Sequence, residues 1–239
     1  MEGFLLIDKP AGLTSHDVVD VIRKLTGVQR VGHAGTLDPF ATGLLIIAVG
    51  RSATKQLGGI TSNTLKTYEA TLRLGATSET GDPEGPITEA EDLTPPTKSA
   101  VQSVINSLKG SLQQQPPDYS AIKIQGVPAY KLKRAGQPFE LPLRTVQIES
   151  IHLRGYHWPH VQIEVTCSAG TYIRSLSQTI GEKLKCGAYL TELRRTRIGQ
   201  WSILKSTPLQ SLDEKNIESF IHPNLMLTKG QKSAKITAE

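Results

Sequence analysis

The longest aliphatic run of the chain, Leu44 to Val49, follows a stretch, 31–42, that is rich in glycine and threonine. The run is far too short to cross a bilayer. It reads as a buried strand, with a loop of small residues leading into it. A buried strand needs a core around it. The 239 residues of the chain can build one without disulfides or a structural metal. At roughly 150 residues per domain they correspond to between one and two domains.

Periodicity supplies the neighbours of that strand. The apolar run 4–7 predicts a strand entering a turn at Asp8-Lys-Pro-Ala-Gly12. Ser15 reads as an N-cap, with Val18, Val19, Ile22 and Leu25 at helical spacing and Gly27 as the stop. Residues 31–42 read as a loop, and 52–57 can begin a short helix. Residues 66–74 alternate as a half-buried strand, and 76–96 form an acidic Gly/Pro loop. Helical spacing returns at 98–109, followed by a linker-like 113–117, a strand at 119–124 and a short basic helix at 129–135. Two alternating strands are predicted at 145–154 and 161–167, then a helix at 172–184. Residues 189–203 read as strand or turn, 208–220 as a short helix, and about the last 15 residues as a loose polar end. Interspersed strands and helices without strict alternation predict an α+β fold with a mixed, mainly antiparallel sheet flanked by helices.

Composition narrows the function classes. The two cysteines, Cys167 and Cys186, form no C-x-x-C pair or zinc spacing, which argues for a reducing, cytoplasmic setting. The N-terminus lacks the pattern of a signal peptide. His152, His157 and His160 cluster around Trp158-Pro159 and read as a surface turn, so no metal is expected. P-loop, dinucleotide, G-x-S-x-G and H-E-x-x-H patterns do not occur. The formal net charge is +5 and is unevenly spread. Residues 171–205 hold seven bases against two acids, 123–134 hold four bases and no acid, and 76–95 hold six acids and no base. That polarity predicts one face for a polyanion and another turned away from it, or else a solvated helix face.

The segment with most chemistry is Gly32-His-Ala-Gly-Thr-Leu-Asp-Pro-Phe-Ala-Thr-Gly-Leu-Leu45. Asp38 sits among small residues just before the apolar strand, where a carboxylate can be both desolvated and reachable. Pro39 restricts the backbone before it. By itself an Asp in such a loop reads first as an ordinary Asx turn.

This string resembles the signature of the TruB branch of pseudouridine synthases, which isomerise uridine 55 in the T-loop of tRNA. Five further segments are similar to motifs of that family, in the same order over residues 4 to about 200. They are Asp8-Lys-Pro-x-Gly-x-Thr-Ser-His-Asp17, Lys66-Thr-Tyr-Glu-Ala with Leu74-Gly75, Gln115-Pro-Pro-Asp-Tyr-Ser-Ala-Ile-Lys123, and the pair Cys167-Ser-Ala-Gly-Thr-Tyr-Ile-Arg174 and Leu190-Thr-x-Leu-Arg-Arg195. The resemblance implies the pseudouridine synthase fold, a catalytic domain at 1–205 with an RNA-gripping insertion at about 110–140, and no cofactor. It leaves 206–239 as a short C-terminal tail, too short for the family's usual PUA-type domain.

It also implies roles. Asp38 matches the catalytic aspartate, which either attacks C1′ or removes a ribose proton, and Arg174 matches the arginine that pairs with it. Tyr68 matches the tyrosine that lies against the flipped uracil and is a candidate base. Tyr172 matches a second site tyrosine. Two positions from Arg174, it can share a pocket with it only from a non-helical start to the helix. Leu193 is an apolar wall, His33 props the RNA, and Lys123, Tyr130 and Arg134 belong to the insertion that grips the T-loop. The implied partner is the tRNA T-arm, met by a monomer without an obligatory protein partner or a membrane. Two other readings stay in view: a non-catalytic RNA-binding module, and a glycoside hydrolase, which would want a second carboxylate beside Asp38. An RNA-guided relative would share the core but is disfavoured by the short C-terminus.

Overall fold

In the computed structural model, which describes residues 1–62, 64–91 and 93–223, the aliphatic run is an interior strand of a ten-stranded sheet. The chain begins with β1 (Gly3–Lys9), α1 (Ser15–Thr26), β2 (Val31–Ala34), β3 (Thr42–Val49), α2 (Arg51–Ser62) and β4 (Lys66–Leu74). A small hairpin, β5 (Ala76–Ser78) and β6 (Ile87–Glu89), precedes α3 (Lys98–Asn106) and β7 (Gly110–Gln114). A second small hairpin, β8 (Lys123–Ile124) and β9 (Val127–Pro128), leads into α4 (Ala129–Arg134). The chain then forms β10 (Arg144–His157), β11 (His160–Cys167), α5 (Ile173–Lys183), β12 (Ala188–Ile198), β13 (Trp201–Ser202) and β14 (Thr207–Pro208).

The strand order is β14-β1-β3-β12-β4-β11-β10-β7, with β2 on β3 and β13 on β12. Only β1–β14 and β3–β12 run parallel among the described pairs, so the sheet is mixed and mainly antiparallel. β3 is apolar from Leu44 to Val49 because both of its faces are covered there. Leu45, Ile47 and Val49 pack with Val18, Val19 and Ile22 of α1. Leu44, Ile46 and Ala48 pack with Ala53 and Ile60 of α2. Each large side chain buried this way contributes about 1.5–3 kcal/mol. β4 is half-buried, as its alternation predicts. Tyr68, Ala70, Leu72 and Leu74 share a core with Val101 and Ile105 of α3 and with Ile173, Leu176 and Ile180 of α5.

Several boundaries differ from the expectation. The N-cap of α1 is Thr14: its hydroxyl accepts the Asp17 N–H at 3.0 Å, and Asp17 accepts the Thr14 N–H at 2.7 Å. This capping box leaves Ser15 free for another task. Residues 31–34 form β2 rather than loop, because Val31 and Ala34 are buried against β3. The acidic stretch folds back as β5–β6, and the strand expected at 119–124 is confined to β8. Residues 110–114 pair with β10 as an edge strand, so the insertion leaves the core only at Gln115. Thr207–Pro208 pairs with β1, and Leu209, Leu212 and Ile217 are buried with α1. The short helix expected at 208–220 is a pair of 3-10 turns, and packing runs past residue 205 to His222, which bridges to Phe4. The loose end expected for about the last 15 residues lies outside the described residues. His152, His157 and His160 are exposed, with His157 facing His160 at the β10–β11 turn.

Candidate active site

The loop between β2 and β3 is tied to the N-terminal turn. Ser15, freed from capping, accepts the Leu37 N–H at 2.8 Å and donates to the Leu37 carbonyl at 3.2 Å. The Pro39 carbonyl accepts the Gly12 N–H at 2.9 Å and the Lys9 ammonium at 3.1 Å. Lys9 is fully buried and also donates to the carbonyls of Pro10 and Leu13. Both neighbours of Asp38 are therefore held, and its carboxylate has a fixed origin. At the end of the loop, β3 approaches β12 so closely that a Cβ on Gly43 would lie 2.3 Å from the Arg195 carbonyl oxygen, and Gly43 has φ +105°. Only glycine fits there.

Arg174 meets Asp38 from the first turn of α5. Its Nε lies 3.0 Å from Asp38 Oδ2 and its Nη2 donates to Asp38 Oδ1 at 3.2 Å. The same guanidinium donates to the Thr80 and Tyr119 carbonyls, each at 2.9 Å. Its Nη1 also lies 3.4 Å from Oδ2 of Asp82. Arg174 is 4% exposed, whereas the Asp38 side chain keeps 33% of its surface open. The pair is thus closed behind and reachable in front. Burial pushes the Asp38 carboxyl above its ordinary range, and Arg174 opposes that rise.

Tyr172, immediately before α5, has φ −99° and ψ 112°. The chain therefore enters α5 from a non-helical residue two positions before Arg174. Tyr68 and Leu193 are buried in the same cluster as Leu37, on either side of the β4–β12 pairing. Burial pushes the Tyr68 phenol up, and the nearby Arg195 cation pulls it down. Arg195 is 1% exposed and donates to the carbonyls of Leu44 and Gly35. His33 lies on β2, half-buried, with Nδ1 buried and without a hydrogen-bond partner among the described residues. Burial lowers its pKa.

Lys123, Tyr130 and Arg134 make no hydrogen bond or ion pair with Asp38 or Arg174 among the described residues; the insertion meets that pair through the Tyr119 carbonyl. Lys123 is exposed on β8. Arg134 lies over the Tyr130 ring on α4, 5.8 Å from its centroid, a cation–π contact that leaves the arginine exposed. Lys133 is spoken for by Asp118 at 2.8 Å. A cleft of about 720 Å³ borders the cluster of Tyr68 and Leu193, lined by Phe40, Glu69, Thr71, Glu164, Glu192 and Leu193. Glu69 and Thr71, which alternate with Tyr68, give the cleft a polar wall, while Phe40 and Leu193 give it an apolar one.

The residue that sequence reasoning missed is Asp82. It is one of the acids in the stretch expected to turn away from a polyanion. The β5–β6 hairpin instead folds it under Arg174, 2% exposed, with Thr80 and the Glu84 N–H on its carboxylate. A signal was present in the Thr-Gly-Asp-Pro turn, but charge counting masked it. Among the described residues no group of three or more His, Cys, Asp or Glu is arranged to hold a metal, and no helix is long and apolar enough to cross a membrane.

The family model described as TruB family pseudouridylate synthase, N-terminal domain, matches residues 23–173. The chain is 45% identical to tRNA pseudouridine synthase B of Mycolicibacterium paratuberculosis over 216 residues, covering 89% of this chain and 73% of that protein. It is 44% identical to the Geobacter sulfurreducens protein of the same name, over 90% of this chain and 70% of that one. Among solved structures, an H/ACA RNP bound to a substrate RNA containing 2′-deoxyuridine aligns with a TM-score of 0.67 at 27% identity over 92% of this chain. A Cbf5-Nop10-Gar1 complex aligns with the same TM-score at 30% identity over 88%. The chain spans just over half the length of those two structural relatives, 56% and 53%.

Proposed function

The chain belongs to the TruB family of pseudouridylate synthases, and from that premise we propose that it isomerises uridine 55 of the tRNA T-loop to pseudouridine. Asp38 is the carboxylate at the reacting sugar. The observation that carries this reading is the two-point contact of a closed-in Arg174 with a carboxylate that stays one-third open. Binding alone has no need of such a pair.

The reaction breaks the N1–C1′ bond, turns the uracil and joins C5 to C1′. The C5 proton leaves and N1 ends with a proton, so the net change is an isomerisation. The target base is stacked within a folded loop and must first be extruded, at a cost of a few kcal/mol. Tyr68 and Leu193 then take its two faces, and His33 fills the gap it leaves. Asp38 must be ionised whether it attacks C1′ or takes a proton from the sugar. Its burial disfavours the charge, and Arg174 offsets that. As a base for the C5 proton, Tyr68 must lose its own. Burial opposes this, and the Arg195 cation beside it favours it.

Lys123, Tyr130 and Arg134 present cations and one aromatic face to the T-arm, which suits phosphate contact and stacking. The reading describes a cytoplasmic monomer that acts on tRNA without a partner protein, its catalytic domain packed through His222. The structural likeness to H/ACA proteins raises an RNA-guided alternative, but identity and coverage both favour the tRNA enzymes. A T-arm stem-loop whose only uridine is at position 55 separates the readings. Nucleoside analysis after incubation with the chain alone should show pseudouridine. Bound but unmodified RNA would favour a binding module.

A further inference from the structure

β7 ends at Gln114, whose backbone is paired with Arg144 of β10 in the main sheet. Its side chain is buried, 3% exposed, and reaches the start of α5. Gln114 Oε1 accepts the Tyr172 N–H at 2.8 Å, and Gln114 Nε2 donates to the Tyr172 carbonyl at 3.0 Å. Only this orientation of the amide satisfies both backbone groups. An amide that exchanges two hydrogen bonds with one residue holds it extended, as a neighbouring strand would. Tyr172 is extended and α5 has no side-chain cap there. Gln114 therefore fixes the point at which extended chain becomes helix, two residues before Arg174.

The residues that follow Gln114 grip the same turn. The Gln115 carbonyl accepts the Ser175 hydroxyl at 2.7 Å, and the Tyr119 carbonyl accepts Arg174 Nη2 at 2.9 Å. From there the chain runs directly into the insertion. A load on the insertion thus reaches α5 through Gln114, Gln115 and Tyr119.

We propose that Gln114 is a positioning residue for the Asp38–Arg174 pair, carrying the register of the sheet edge and the seating of the insertion to the start of α5. The kinetic part of this inference rests on the synthase reading; the geometric part does not. A plainer role is open to a buried amide: it satisfies two backbone groups, and its loss costs stability alone.

The test is the titration of the Asp38 carboxyl by 13C NMR in the RNA-free chain, its signal identified against Asp38→Asn. Gln114→Met keeps most of the length and removes both hydrogen bonds. Gln114→Asn keeps the amide one methylene short and serves if the Met variant does not fold. A loosened Arg174 offsets the burial of Asp38 less, so the Asp38 midpoint should rise by about half a pH unit. With T-arm RNA, kcat should fall at least about tenfold while KM stays within about threefold. A folded variant with an unmoved Asp38 titration overturns the proposal, whatever its activity. A raised midpoint in a chain that never modifies RNA upholds the positioning role and removes the synthase reading instead.

Discussion

Asp82 Oδ2 lies 3.4 Å from Arg174 Nη1, so one buried guanidinium answers two carboxylates. Asp38 takes the Nε–Nη2 edge and Asp82 the remaining nitrogen. Asp82 has two effects of opposite sense. It anchors Arg174, and its charge pushes the Asp38 carboxyl up. Asp82→Asn is expected to lower kcat by about ten- to a hundredfold through the lost anchor. The acid limb of the rate should move to lower pH, because the charge that raised Asp38 is gone. Single-turnover rates between about pH 4 and 8, roughly the window in which a raised carboxyl titrates, check both effects.

Arg174→Gln leaves Asp38 and Asp82 facing each other without a cation. Removing one member of a buried pair costs about 3–5 kcal/mol. Asp38 already titrates above its ordinary value, and the substitution raises it further. A carboxyl whose folded pKa exceeds its unfolded one favours folding when protonated, and that stability is lost as pH rises. The variant should therefore be closest to wild type at mildly acid pH and furthest from it above neutrality. Urea midpoints at two pH values measure this. Arg174→Lys should not rescue activity, since a point charge cannot keep both carboxylates and two carbonyls.

Lys9 is pushed down to about 8, chiefly by burial. Between that value and the ordinary lysine range the folded chain binds fewer protons than the unfolded one. Unfolding then takes up a proton, so this group's contribution to stability rises with pH above about 8. The difference in stability between wild type and Lys9→Met should show that slope. The variant should also lose activity, because Lys9 ties the Pro39 carbonyl beside Asp38.

Lys123 and Arg134 are exposed on the insertion and make no contact with the Asp38–Arg174 pair. Lys123→Ala and Arg134→Ala should each raise KM for the T-arm by about three- to tenfold and leave kcat within about twofold. Each loss should flatten the salt dependence of binding. A fall in kcat with unchanged KM would show that the insertion acts on chemistry rather than on grip.

Legibility in the sequence followed the physics of each element. β3 and β4 were readable because burial on two faces or one face writes its own periodicity. β2 was not, since a short strand with Gly32 and His33 at its centre carries too few apolar residues to alternate. Ser15 was misjudged as a cap because both it and Thr14 can cap; the Asp17 carboxylate decides for Thr14. Asp38 and Arg174 come from motif resemblance; by itself the loop Asp reads first as an Asx turn. Asp82 and Gln114 stayed hidden for one reason. Each lies in a stretch whose composition says loop, and each is made functional by a partner about 60 or more positions away, a relation no local window contains.

The central claim is that Asp38 performs chemistry on the uridine. Tritium placed at C5 of the T-loop uridine is released to water only when C5 forms its new bond. Wild-type chain should release it, and Asp38→Ala should reduce release to background while still binding the RNA. Release by Asp38→Ala at the wild-type rate would contradict the account outright.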